Sequence, residues 1–381
     1  MRLADAGLLS RVHSSPFRPF GRLRISPLFF KSEIRCQEGY STSVPRALLR
    51  CNEKEKRHTA AGPLVLFHDG NISNRNQARA LAHAIGFKHQ TTTEINLGEV
   101  NHIPPEVSNS LVIGCGRRVA KTVSAYTGRG GNKTVQILHP RLFRSTAKFD
   151  CLVIPYHDRL SWLDDEAKIV RMHGALSWSL HASALKRFQS FDANPSAFKV
   201  CALIGGGLDN IERIAERLLH LRQTFNANVT IVCSRRTPLS VVRTLRACLS
   251  QIEIWHPSQG TRNPYRAQLA NSDMFLVSED SVSMIADVLT VLVERKMAGP
   301  IYLLGTRATT RAKHERFISE VEATHQEKVF HRIEDDVIWT SPNINRNPTT
   351  YGDWESETAR VGRKVREFLL QMSDSNELPK G

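Results

Sequence analysis

A chain of 381 residues with 41% hydrophobic content is long enough for two domains with cores of their own, and no apolar stretch in it approaches the length that spans a bilayer. Its formal net charge of +15 is densest at the front, where nine Lys and Arg in residues 1–50 face only Asp5, Glu33 and Glu38. The remainder is spread thinly with no nucleic-acid-binding motif, which argues against sequence-specific reading of DNA or RNA and leaves a general affinity for anionic surfaces.

Residues 1–60 read as an address and a linker. The segment ending near Gly39-Tyr40-Ser41-Thr42-Ser43 is Arg-rich, Ser-rich and nearly free of acids, the marks of a mitochondrial transit peptide. A basic tail without an address is the plainer alternative. A secretory signal fits poorly, because the apolar stretches are short and broken by Arg.

From Pro63 the chain alternates short apolar runs with helical patterns. "PLVLFH" precedes a helix over Arg75 to Ile85, "LVIGCG" precedes one over Arg117 to Tyr126, and "KTVQILH" and "CLVIPY" read as further strands. A polar interval at Asp192-Ala193-Asn194-Pro195 ends this series. The pattern then restarts with "FKVCALIGGG", followed by Ile211, Ile214, Ala215, Leu218 and Leu221 at helical spacing. "NVTIVCS", "QIEIW", "DMFLVS" and "GPIYLLG" follow as strands, with helices after Leu239, Ser281 and Arg311. Trp354 to Met372 forms a last helix that stands alone and is expected to brace the first series.

Strands alternating with helices predict parallel sheets covered on both faces. The two series predict an α/β fold of two Rossmann-like domains, over 61–194 and 195–350, with a C-terminal helix and tail over 351–381. The seven cysteines lack any C-x-x-C pair, and Cys151, Cys201 and Cys233 lie in apolar runs. That pattern points to a reducing compartment and against a disulfide framework or a structural zinc.

Ligands in such sheets bind where strands open into loops at their C-terminal ends. Gly205-Gly206-Gly207 lets backbone approach an anion, although a tight turn explains it equally. Ser234, Arg235 and Arg236 end a strand, and two arginine forks there suit a phosphate. Thr237-Pro238 reads as helix cap and first helical position. Ser281 reads as the cap of the next helix, with Ser283 and the N–H of Met284 in its first turn. Asp287 lies too far along for a capping box and suits ribose hydroxyls. Asn263-Pro264-Tyr265 could reach the same cleft. In the first series Asp69, His139 and His157-Asp158 end strands. Asp69 and His157 are the candidates to take a proton from an acceptor, with half-buried structural histidines as the plain reading of the latter. No spacing suggests a metal site.

The ordered motifs "DGNISNRNQARALAHAIG", "VIGCGRR", "VQILHPRL", "FDCLVIPYHDR", "SRRTP", "NPY" and "SEDSVSMIAD" resemble the mitochondrial fission family first known from plants with elongated mitochondria. The resemblance covers roughly residues 63 to 370. It implies a glycosyltransferase-B-like fold, with two facing domains, a donor nucleotide site in the second, and a C-terminal helix crossing back to the first. It also implies action in mitochondrial division with a dynamin-related GTPase as partner. The alternative is an active glycosyltransferase using a nucleoside-diphosphate sugar as donor; no other cofactor is expected. The chain departs from the family at Asp287, where a Glu is usual, and at Val288 to Ala298, which replaces a shorter segment leading into a Gly-Lys-Pro turn. A matrix address would also separate the protein from a cytosolic partner, so matrix and outer surface both stay open.

Overall fold

Twelve β-strands among the described residues assemble into two six-stranded sheets, and every strand pair in both is parallel. The computed structural model describes residues 63–87, 92–98, 107–141, 146–160, 166–177, 198–305, 312–326, 329–332, 351 and 353–374. The proposed address over 1–60 and the polar interval at 192–195 lie outside them. The described residues belong to one compact unit, Ala60–Gly381.

The first sheet contains β1 (Leu64–His68), β2 (Thr92–Asn96), β3 (Leu111–Cys115), β4 (Lys133–Ile137), β5 (Cys151–Pro155) and β6 (Ile169–Met172), in the order β2-β1-β3-β4-β5-β6. Strands β1, β3 and β5 are buried at every position. Continuous apolar runs are what a parallel sheet covered on both faces requires. Helix α1 (Ile72–Ala84) packs on one face and α2 (Ala120–Ser124) on the other. Helix α2 is much shorter than the Arg117 to Tyr126 expected, because Gly116 turns at φ +97° and the next three residues form a turn before the helix begins.

The second sheet contains β7 (Lys199–Ile204), β8 (Asn228–Cys233), β9 (Glu253–Trp255), β10 (Met274–Ser278), β11 (Ile301–Leu304) and β12 (Phe330–Arg332), in the order β12-β11-β10-β7-β8-β9. Renumbered from its own start, this is the 3-2-1-4-5-6 order of a dinucleotide-binding half. Helices α3 (Ile211–Phe225) and α4 (Leu239–Cys248) cover one face. Helices α5 (Tyr265–Asn271), α6 (Val282–Glu294) and α7 (Ala312–His325) cover the other. The helical stripe expected in α3 is the buried one: Ile211, Ile214, Ala215, Leu218 and Leu221. The unusual run after Asp287 continues α6, with Val288, Val291 and Leu292 buried. It then ends at Lys296 and Gly299, which turn at φ +51° and +123°.

The last helix, α8 (Glu357–Asp374), returns to the first sheet and buries Val361 and Val365 against α1 and β5–β6. Gly362 permits that approach, since a Cβ there would fall 2.4 Å from the Ala84 Cβ. Glu357 accepts the His173 N–H at 2.5 Å, and the Thr358 hydroxyl accepts the Ser177 N–H at 3.0 Å. Two parallel-sheet halves joined by this crossover are the glycosyltransferase-B-like arrangement that the resemblance implied.

The halves meet along a polar seam. Lys313 pairs with Asp158 at 2.9 Å, and Arg316 donates to the carbonyl of His157 at 3.1 Å. Phe317 lies against Gly174, where a Cβ would come within 2.6 Å of its ring.

Candidate functional site

Each sheet carries a crevice of the same topological origin. Strands β7 and β10 are neighbours, yet β7 leads to α3 on one face and β10 to α6 on the other. Strands β1 and β3 diverge likewise toward α1 and α2. Such divergence parts the loops at the carboxyl edge, where ligands of open parallel sheets bind.

In the second half three loops converge on that crevice, and the chain fills it with its own anion. Gly205 donates its N–H to the Ser278 hydroxyl at 2.7 Å. Gly206 donates to Asp280 Oδ2 at 3.0 Å, and Arg236 Nη1 lies 3.2 Å from the same oxygen. A Cβ on Gly205 would sit 2.0 Å from Asp280 Oδ1, and one on Gly206 would sit 2.9 Å from Arg236. The glycines are needed because a carboxylate and an arginine loop lie directly against their backbone. Asp280 thus occupies the place expected for a phosphate, although its Oδ1 is buried without a hydrogen-bond partner among the described residues.

The neighbouring groups are arranged differently from expectation in two respects. Thr237 does not cap α4; Pro238 holds the cap position, while the Thr237 hydroxyl bonds the carbonyls of Ile204 and Gly205 at 2.8 and 2.7 Å. Its role is to tie the arginine loop to the glycine loop. Ser234 accepts the Arg236 N–H at 3.1 Å, and Arg235 is exposed. Ser281 does hold the cap position of α6, but its buried hydroxyl makes no capping bond. Ser283 and Met284 are partly exposed in the first turn.

Asp287 was expected to offer a free carboxylate to a ribose. Instead Oδ1 accepts from the Ser177 hydroxyl at 2.5 Å and Oδ2 from the Tyr265 hydroxyl at 2.8 Å. Ser177 belongs to the first half, so Asp287 is a hydrogen-bonded link across the seam. Desolvation raises its pKa to about 6, against the pull of the two hydroxyls, and burial with the adjacent carboxylate drives the Tyr265 phenol well above its usual range. Tyr265 reaches the cleft as its position in Asn263-Pro264-Tyr265 suggested; nothing in the sequence around Ser177 marked it.

The first-half crevice is open, with a volume of about 450 Å³. Asp69 lines it, next to a part-buried cluster around His68 and Glu94. His68 Nδ1 accepts the Gly70 N–H at 3.1 Å, which leaves its Nε2 to donate to Glu94 at 3.0 Å. Burial lowers the His68 pKa, in keeping with that neutral tautomer. Arg75 and Arg79 also converge on Glu94. Asp69 Oδ1 accepts from the Asn71 N–H at 3.2 Å and from Asn74 at 3.1 Å. His139 lines the same crevice; its Nδ1 accepts the Arg141 N–H at 2.9 Å, and burial lowers its pKa.

His157 is not in this crevice. It is 3% exposed, packs edge-on to Phe317 and has a buried Nδ1 without a partner among the described residues. Desolvation lowers its pKa to about 4, so it is a neutral seam residue with no route to an acceptor. Its neighbour Asp158 and, from the second half, Lys313 line the crevice instead. Among the described residues no group of three His, Cys, Asp or Glu side chains is placed to hold a metal ion, and no helix is long and apolar enough to cross a membrane.

Comparison with known proteins covers both halves. In structure the chain is similar to a UDP-GlcNAc 2-epimerase from Methanocaldococcus jannaschii, at 12% identity over 81% of this chain and 99% of that one, with a TM-score of 0.47. It is similar also to MurG of Acinetobacter baumannii, at 10% identity over 82% and 94% of the two chains, with a TM-score of 0.39. In sequence it is 27% identical over 300 residues to the mitochondrial fission protein ELM1 of Arabidopsis thaliana, covering 68% of this chain. The match spans 64% of that relative's length. A family model described as Mitochondrial fission ELM1 matches residues 70–369, from the Asp69 loop to the crossover helix. The chain belongs to the mitochondrial fission ELM1 family.

Proposed function

We propose that this protein acts in mitochondrial division or morphology and uses its glycosyltransferase-B-like fold as a scaffold. The observation that carries this reading is the family match, which runs through both halves and the crossover helix. The filled second crevice supports it. A nucleoside diphosphate would have to displace Asp280 from Gly206 and Arg236, and a ribose would have to compete with Ser177 and Tyr265 for Asp287. The alternative, transfer from a nucleoside-diphosphate sugar, requires both displacements. The basic, acid-poor segment at the front supports residence at the mitochondrion. A dynamin-related GTPase is the partner that the family relation suggests.

Loss of the chain from its own cells tests the proposal. Elongated or more networked mitochondria, with less dynamin-related GTPase on the organelle, are the expected outcome. An unchanged distribution of mitochondrial lengths after verified loss would overturn it.

A further inference from the structure

We infer that the open crevice of the first half binds a phosphate-bearing molecule, separately from any nucleotide chemistry in the second half. The two crevices arise from the same strand divergence, but their charges are balanced differently. The second is neutralised from within, because Asp280 sits between the glycine loop and Arg236. The first is lined by Arg117, Arg118, Arg141 and Lys313 against only Asp69 and Asp158.

Lys313 and Asp158 pair with each other at 2.9 Å, leaving three arginines facing one carboxylate. All three arginines are exposed, and none has an ion pair or side-chain hydrogen bond among the described residues. Like charges gathered at a cavity without partners raise one another's energy, and an anion placed among them relieves it. Guanidinium forks match the oxygens of phosphate better than they match a point charge.

The positions of these arginines follow from the fold. Gly116, at φ +97°, turns β3 directly into Arg117 and Arg118 at the point of divergence. Arg141 follows β4 and is fixed by its N–H bond to His139 Nδ1. Helix α1 begins beside them with no acidic residue in its first turn, so its positive end adds to the same field. A volume of about 450 Å³ exceeds a lone phosphate and suits a small metabolite or a lipid headgroup. Because Lys313 comes from α7, such a ligand would touch both halves.

The test uses the full chain, with Arg117→Ala/Arg118→Ala as the site variant and Arg235→Ala as the control in the second half. All three positions are exposed, so folding is spared. Inorganic pyrophosphate is titrated calorimetrically, and sedimentation is measured with phosphatidylcholine vesicles with and without phosphatidic acid. Expected is saturable binding that the double variant weakens about tenfold or more, that Arg235→Ala leaves intact and that added salt reduces. Pyrophosphate binding identifies a soluble ligand. Phosphatidic-acid-dependent sedimentation without pyrophosphate binding identifies a headgroup. Binding of neither probe overturns the inference, and so does binding that the double variant retains or that Arg235→Ala weakens as much, which would belong elsewhere on the chain.

Discussion

Replacing Gly362 by alanine sets two effects of opposite sign against each other. Alanine inside a helix is favoured over glycine by about 1 kcal/mol, so an unobstructed α8 would gain stability. Here the added Cβ would lie 2.4 Å from the Ala84 Cβ and 3.0 and 3.1 Å from the Ala84 carbonyl carbon and oxygen. Two of these contacts are with backbone, which cannot rotate away. Ordinary contact requires α8 to retreat from α1 by about 1 Å, and with unyielding backbone on one side the cost lies in the upper part of the overpacking range, about 2–3 kcal/mol. The retreat also strains the bonds from His173 to Glu357 and from Ser177 to Thr358 at the same end of the helix. The net expectation is a loss of about 1–2 kcal/mol, read as a lower urea midpoint for the full chain. Ala84→Gly should cost less in the Gly362→Ala background than in the parent chain, because there it also removes the worst contact. A Gly362→Ala protein as stable as the parent, or more stable, would refute the close crossing of α8 over α1.

Three further outcomes follow from the same structure. Tyr265→Phe removes a hydrogen bond to the Asp287 carboxylate and should cost about 1.5–3 kcal/mol near pH 8, but less near pH 5, where the carboxyl (pKa about 6) is protonated; an equal loss at both pH values contradicts the assignment. His157 has a pKa of about 4 folded and an ordinary one unfolded, so acidification from about pH 6.5 favours the unfolded state by up to about 3 kcal/mol, and His157→Gln should flatten that part of the pH–stability curve. Asp287 acts in the opposite sense, its raised pKa making the folded state the better proton binder between about pH 4 and 6, so the His157 effect is read as the difference from wild type. In the native protein a thiol reagent should modify the exposed Cys248 while sparing Cys115, Cys151, Cys201 and Cys233, all buried, the Cys151 thiol being pushed up to about 12; labelling of those four at the rate of Cys248, mapped by peptide mass, would contradict the packing.

The long apolar runs and the α3 stripe made the two parallel halves legible, because burial on both faces leaves an unbroken hydrophobic signature. Strands β2, β6 and β12 went unread for the converse reason. They are edge-region strands with mixed burial, and β12 has only three residues. The loops of the second crevice were found from glycine, arginine and hydroxyl content, but composition does not say which anion answers them. That Asp280 does so depends on β10 lying beside β7, a contact 74 residues apart in sequence. Asp287 was misread for a similar reason, since both of its hydroxyl partners come from elsewhere in the chain and Ser177 comes from the other half. Arg117 and Arg118 read as the start of one helix and Lys313 as part of another, and only the cavity brings them together.

The most direct measurement is rescue of cells lacking the chain by the variant Arg235→Ala/Ser283→Ala, which strips two solvent-accessible donor-side groups without touching the core. If the fold serves as a scaffold, this variant restores mitochondrial length as fully as the parent chain does. A variant present at normal abundance that leaves the mitochondria elongated would contradict the scaffold account and return the second crevice to nucleotide chemistry.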